Sequence, residues 1–425
     1  MFWWLYEIVF WMVLLLAGPY YLSRMRHRGG YAQDFGERFG FLNRSKREAL
    51  RGLKPIWIHG VSVGEVDLAL HLIESIRNKT DVKIVLSTTT STGHALALQK
   101  LPPDISIFYY PLDSQFCFVP LHRLLHPRAF ILIEAELWPN HLNYCARKGV
   151  PLFLLNARLS KRFLPRYRRA QQLFRPAFRA FRGVTTQSAE DSAILAELGF
   201  PASGIKMLGS VKYDTALRHG ASGTSPLLQQ LAFYGTRPCW VAGSTHAGEE
   251  AIVCEAFARL KSLHPDLWLV VAPRHAERSD EIEKIFLAQG MRCTRRSALA
   301  SSVEKTDIVL LDTTGELKFV YQRASVVFVG KSLTGHGGQN ILEPAASGKP
   351  IVFGPHMENF EHIAHDFLKA GAAIQVKTPQ ELESKIGEIL SSPQIASQLG
   401  AKASGLVQAQ RGVLDRTVEF VLQRL

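Results

Sequence analysis

The sequence predicts an α/β protein: two consecutive doubly wound domains behind an N-terminal membrane-anchoring helix. Three observations predict it. Short β-branched runs alternate with helical patterns along most of the chain, the mark of βα units and parallel sheets. The 425 residues suffice for two or three domains, and 47% hydrophobic with 20% charged residues is ordinary globular composition. That balance excludes a disordered chain, a fibrous repeat and a polytopic membrane protein. The third observation is that residues 1–22 are apolar apart from Glu7.

The uncharged stretch from 8 to 18 is followed by Arg24, Arg26 and Arg28. A bilayer span needs about 20 apolar residues, so residues 1–22 are just long enough. The charges follow the run and no small-residue cleavage site is visible, so an anchor is expected rather than a cleaved signal peptide. The positive-inside rule places the three arginines, and everything after them, in the cytoplasm. Trp3, Trp4, Trp11 and Tyr20 suit a membrane interface, whereas Glu7 is costly in lipid. A spanning helix and a helix lying in the interface both fit.

The first domain, 23–215, has expected strands at 56–59, 83–87, 107–110, 129–134, 151–156 and 184–187. Residues 216–227 read as a Gly/Ser/Pro linker. The second domain, 228–425, has expected strands at 239–243, 267–272, 308–311, 326–330 and 350–353. Two such domains leave a cleft between them, and ligands bind beyond the carboxyl ends of the strands.

The strand ends therefore carry the candidate chemistry. The first strand runs into Gly60-Val61-Ser62-Val63-Gly64-Glu65, a tight turn into a helix. Glu65 there is either a general base or a favourable charge at a helix N-terminus. The turn is not a P-loop, because no Lys follows Gly64. Hydroxyls at 87–92 cap a helix or hold a polar substrate. Glu134 and Glu136 close a buried strand and, two apart, face opposite sides. In the second domain Arg274, just past a strand, suits a phosphate or a structural ion pair. The densest cluster is the Gly-rich run 330–345. Asn340 stands where a dinucleotide fingerprint needs its last glycine, so a nucleotide-sugar loop fits better, with a helix starting near Asn340 aiming free amides at phosphate. His362 and His365 read as solvated, and no metal site is expected.

Fifty Lys+Arg against 37 Asp+Glu give a net charge of +13, which points to an anionic partner. Nine basic residues lie between 158 and 182 with no acid among them, interleaved with Phe163, Tyr167, Phe174, Phe178 and Phe181. Such a basic amphipathic segment suits an anionic membrane surface. No nucleic-acid-binding signature accompanies the charge, so no nucleic-acid partner is expected. Five unpaired cysteines imply a reducing compartment.

Together these motifs resemble the Kdo (3-deoxy-D-manno-octulosonic acid) transferases of lipopolysaccharide assembly. The resemblance rests on 59–66, 134–140, 156–160, 209–214, 243–250, 273–278 and 337–345. It implies the GT-B fold, two Rossmann-like domains, and inverting transfer of Kdo from CMP-Kdo to a lipid A precursor. The setting would be the cytoplasmic face of the inner membrane, with anionic lipids as further partners and no cofactor beyond the donor. By resemblance the general base is Glu65, Glu134 and Lys212 stabilise the transition state, and CMP contacts fall on Pro273, Arg274, Thr314, Gly315, Glu316, Asn340, Ile341, Leu342 and Glu343. Ala276 stands where the family often has Pro. Another GT-B nucleotide-sugar transferase or epimerase is the alternative.

Overall fold

The computed structural model describes residues 2–28, 34–134, 137–159, 164–169, 171–220, 225–299 and 306–425. The chain forms two compact units: Met1–Val211 with Gly412–Leu425, and Lys212–Arg411.

Unit one is built on seven parallel strands: β1 (Ile56–Gly60), β2 (Ile84–Thr88), β3 (Ser106–Tyr109), β4 (Ala129–Ile133), β5 (Leu152–Ala157), β6 (Phe181–Thr186) and β7 (Ile205–Met207). Their order is β3-β2-β1-β4-β5-β6-β7. Helices cover both faces, so β1, β2 and β4 are buried at every residue and read as continuous apolar runs. The order reverses between β1 and β4, which makes that pair the switch point where ligands bind. Sequence pattern missed β7, a three-residue strand with two exposed residues and no alternation to read.

Unit two repeats the plan with β8 (Cys239–Thr245), β9 (Trp268–Pro273), β10 (Cys293–Arg295), β11 (Ile308–Leu310), β12 (Val326–Val329), β13 (Ile351–Phe353) and β14 (Ile374–Gln375). The order is β10-β11-β9-β8-β12-β13-β14, so its switch point lies between β8 and β12. The unexpected strands are the edges β10 and β14, three and two residues long.

The stretch read as a linker behaves differently. Residues Lys212–Gly220 and Pro226–Leu231 are helical, and the unit boundary falls at Val211. Ala216, Leu227 and Leu231 sit in the core of unit two, so apolar anchors inside the small-residue stretch override its loop composition. Residues 221–224 lie outside the described residues.

The last helix, Val413–Leu422, belongs to unit one. Val413, Leu414, Val418 and Val421 share a core with the helix Val63–Lys79. Ser75 donates to Asp415 at 3.0 Å and Lys79 pairs with Glu419 at 2.9 Å. Gly183 is required here: a Cβ on it would meet the Phe420 ring at 2.7 Å.

The N-terminal helix Phe2–Arg28 is, among the described residues, the one helix long and apolar enough to cross a membrane. Three polar side chains of its first turns are bonded to unit one. Tyr6 donates to Asp113 at 2.7 Å, Glu7 accepts from the Gln115 amide at 2.6 Å and from Asn140 at 2.7 Å, and Trp11 donates to Ser114 at 3.2 Å. The side chains of Arg24, Arg26 and Arg28 lie outside the described residues.

The basic segment also departs from its sequence pattern. Phe178 and Phe181 are buried and Tyr167 and Phe174 pack against the same core, so these four aromatics face inward. Its missing acids come from elsewhere in the chain: Arg168 makes a bidentate pair with Glu197 at 2.8 and 2.9 Å. Ser160, Lys161, Arg162 and Phe163 lie outside the described residues. Arg169, Arg175, Arg179 and Arg182 remain exposed.

Candidate active site

At the switch point of unit one, β1 ends in Gly60, where a Cβ would come 3.1 Å from the Glu65 carbonyl oxygen. Glycine therefore allows the turn to fold back tightly. Ser62 caps the helix that follows, and Ser62 with Glu65 forms a capping box. The Glu65 carboxylate accepts from the Val61 amide and the Ser62 hydroxyl, both at 2.9 Å. Glu65 thus lies in the first turn of that helix, and the two bonds fix its carboxylate in place. Burial, and then the neighbouring Glu134 carboxylate, push the Glu65 carboxyl above its usual range, against the hydrogen bonds from Val61 and Ser62. A half-buried carboxylate with raised basicity, held by two donors, is equipped to take a proton at neutral pH.

Glu134, just past β4, has φ 62°, and Asn156, the penultimate residue of β5, has φ 56°. Left-handed backbone at non-glycine residues costs energy and concentrates at functional sites. The Glu134 amide donates to the Leu155 carbonyl at 3.0 Å, which ties the ends of β4 and β5 together. Glu136 lies outside the described residues. Two neighbours escaped the sequence reading as individual groups. His59 stacks on Tyr110 at 4.0 Å and bonds Ser87 through Nδ1, while its buried Nε2 has no hydrogen-bond partner among the described residues. Burial pushes this imidazole down to about 3, so it is neutral. Asn156 accepts from the Val211 amide at 3.1 Å, and its buried Nδ2 likewise lacks a partner. Thr90 caps the helix Ser91–Lys100, so among the hydroxyls at 87–92 this one is structural.

Unit two shows the same left-handed signature at its switch point, with φ 56° at both Ser244 and Lys331. The organising residue is Glu249, fully buried. Its carboxylate accepts from four backbone amides: His246 at 2.9 Å, Lys331 at 2.7 Å, Ser332 at 2.9 Å and Leu333 at 2.9 Å. One side chain thus clasps the turn after β8 to the Gly-rich loop after β12. Gly330 permits the approach, since a Cβ there would lie 2.6 Å from Thr245 Cα. The available signal was two acids directly after a small-residue turn; Glu250 is the other, paired with Arg278 at 3.0 Å.

The predicted donor-site residues divide. Arg274 follows β9, its amide bonds the Thr245 carbonyl at 3.0 Å, and its exposed guanidinium makes no ion pair among the described residues. The structural ion pair belongs to Arg278 instead. Pro273 closes β9 beside Thr245 in the strand register. Gly315 has φ 86°, which only glycine adopts readily, and Thr314 beside it is exposed. Glu316 is held by Arg296 at 3.1 Å. Asn340 bonds the Leu342 amide at 3.0 Å and the Glu343 carboxylate at 3.3 Å. The helix expected near Asn340 starts at Leu342 and runs five residues, and its first amide is already taken, so it offers a phosphate little. Ile341 and Leu342 are fully buried core residues, which leaves only their backbone for a ligand. Lys212 opens the helix Lys212–Gly220, its Nζ 5.6 Å from the centre of the Phe360 ring.

Residues 33–215 match the family model described as 3-deoxy-D-manno-octulosonic-acid transferase (kdotransferase), and residues 251–405 match glycosyl transferases group 1. A 3-deoxy-D-manno-octulosonic acid transferase of Bordetella pertussis is 31% identical over 411 residues, spanning 93% of each chain. The chain belongs to the Kdo transferase family. The corresponding transferase of Haemophilus influenzae is 29% identical over 398 residues, 92% of this chain and 91% of its own. Among solved structures, UDP-GlcNAc 2-epimerase from Neisseria meningitidis bound to UDP-GlcNAc superposes with a TM-score of 0.61 over 87% of this chain and 100% of its own, at 13% identity, a likeness of fold alone. This Kdo transferase is a glycosyltransferase with the GT-B fold, and the family match decides against the epimerase alternative.

Proposed function

We propose that this Kdo transferase moves Kdo from CMP-Kdo to a lipid A precursor with inversion, working at the cytoplasmic face of the inner membrane. The observation that carries the reading is Glu65: a carboxylate at a switch point, fixed by two hydrogen bonds and raised in basicity by burial and Glu134. In the proposed step Glu65 removes the proton of an acceptor hydroxyl. The oxygen bonds to the anomeric carbon of Kdo, the bond from that carbon to the phosphate oxygen breaks, and its electron pair leaves with CMP. Direct displacement by the acceptor inverts the centre. Arg274 and Lys212 offset the charge growing on the phosphate. Asn340, Glu343 and the 314–316 turn hold the nucleotide. The N-terminal helix and the exposed arginines of 168–182 fit attachment to an anionic membrane.

The test is product mass after incubation with CMP-Kdo and a tetra-acylated lipid A precursor. Wild type should add Kdo. Glu65→Gln keeps shape but not basicity, so turnover should fall roughly 10²–10⁴-fold with donor affinity unchanged. A variant retaining more than about a tenth of wild-type turnover would end the assignment of the base.

A further inference from the structure

The N-terminal helix is long enough to span a bilayer, yet its contacts place it on unit one. Its bonds to the domain fall within the apolar window Trp3–Tyr20, near the end that a spanning helix would put on the far side. Tyr6, Glu7 and Trp11 hold the 113–115 loop and Asn140, and Glu7 is 4% exposed. A spanning helix would have to break these bonds, carry Glu7 into hydrocarbon and strand Asn140 and the Gln115 amide. The alternative, the domain following residues 6–11 into the membrane, is closed to a polar α/β unit.

The opposite side of the helix is an apolar stripe at helical spacing: Trp4, Leu5, Ile8, Met12, Leu16 and Tyr20 are all more than half exposed. The domain also carries exposed aromatics near the point where the helix is bonded to it. Phe116, next to the Gln115 that Glu7 holds, is 68% exposed, and Phe41 is 75% exposed. Both line a cavity of about 680 Å³ that also carries Arg47, Arg51 and Arg123. These three arginines are exposed and make no ion pair among the described residues. An apolar ridge bordered by unpaired guanidinium groups is complementary to one leaflet of anionic phospholipid: acyl chains meet the ridge and phosphates meet the arginines.

We propose that the helix lies along the bilayer as a monotopic anchor, pinned to unit one through Tyr6, Glu7 and Trp11, and that the Phe41–Phe116 cavity binds anionic lipid headgroups beside it. The proposal rests on the membrane attachment argued above, and the test separates the two. Trp3→Cys is introduced into the full-length chain with the five native cysteines changed to serine. It is labelled with a membrane-impermeant maleimide in right-side-out spheroplasts and in inverted vesicles, with a cysteine replacing exposed Ser262 as the marker of the domain side. Labelling of both positions from the same side, with the protein sedimenting with membranes, is the expected result. Labelling of position 3 from the opposite side overturns the monotopic anchor while keeping membrane attachment. Failure to sediment with membranes overturns the attachment itself. For the cavity, the triple variant Arg47→Gln, Arg51→Gln, Arg123→Gln should bind vesicles of phosphatidylethanolamine with 30% phosphatidylglycerol at least about tenfold more weakly. Its binding to neutral vesicles should not change. Equal losses on both vesicles, or none on the anionic ones, overturn the headgroup site.

Discussion

The two units share a sheet plan and differ in what they bury. Behind its switch point unit one carries a polar network: His59 on Ser87, Tyr110 on His141, and His141 against His122, all beneath Trp57 and Phe118. Unit two has an apolar interior, and its two fully buried acids among the described residues are Glu249 and Glu250. The first arrangement positions individual side chains, and the second positions a stretch of backbone. That difference matches the two kinds of work proposed above: one proton to be moved at Glu65, and a nucleotide to be surrounded by main chain.

The contrast should be largest in acid. Burial pushes His59 and His122 down to about 3, His94 to about 4, and His141 well below its usual value. All four lie in unit one. These folded values are depressed below the unfolded value, so their stability is fully present above about pH 6.5 and is lost as pH falls towards 3. At pH 5 each fully buried histidine should cost on the order of 2 kcal/mol. Among the described histidines of unit two only His246, which is partly exposed, is lowered. Hydrogen exchange at pH 7 and pH 5 should show β1, β2 and β4 losing protection first. Earlier loss in β8 and β12 would break the comparison.

Next in size is the clasp. Glu249→Ala leaves four buried amides unbonded and should cost about 3 kcal/mol or more of stability, with weakened CMP binding, measured by thermal melts and calorimetry. Retained CMP affinity would mean the Gly-rich loop does not need its anchor. Arg274→Ala should weaken CMP binding by about 1.5–3 kcal/mol without lowering the melting temperature, because the guanidinium makes no ion pair among the described residues. A lower melting temperature with unchanged affinity would return it to a structural role. The smallest effect is on a pH profile. The Glu134 charge raises Glu65, so Glu134→Gln should move the acidic limb of kcat/KM to lower pH. An unmoved limb would uncouple the two carboxylates.

Much of this was legible in the sequence where the signal was local. The long central strands announced themselves as continuous apolar runs, and the glycine turn after the first strand placed Glu65 at a helix start. The edges β7, β10 and β14 were not legible, because two or three residues carry no period. The Glu249 clasp was hidden for another reason: its four amide partners include Lys331, Ser332 and Leu333, more than 80 positions away. Distance in sequence also misled on the basic segment. Glu197 and the core behind Phe178 come from other elements, so what reads as a lipid-facing amphipath is partly a core helix. For the N-terminal run, composition alone permits spanning; only the partners of Tyr6, Glu7 and Trp11 argue for lying flat.

The return of Val413–Leu422 to unit one has a temporal consequence. On the ribosome, residues 212–411 emerge as one uninterrupted stretch with all of unit two's strands. Unit one must wait for the final fourteen residues before Val413, Leu414, Val418 and Val421 can close over the helix Val63–Lys79. Domains usually fold in the order of their synthesis. Here the first-made domain is the last to be completed, and until then it presents an uncovered apolar helix face. A chain cut after Arg411 would hold a complete unit two and an unfinished unit one that carries Glu65.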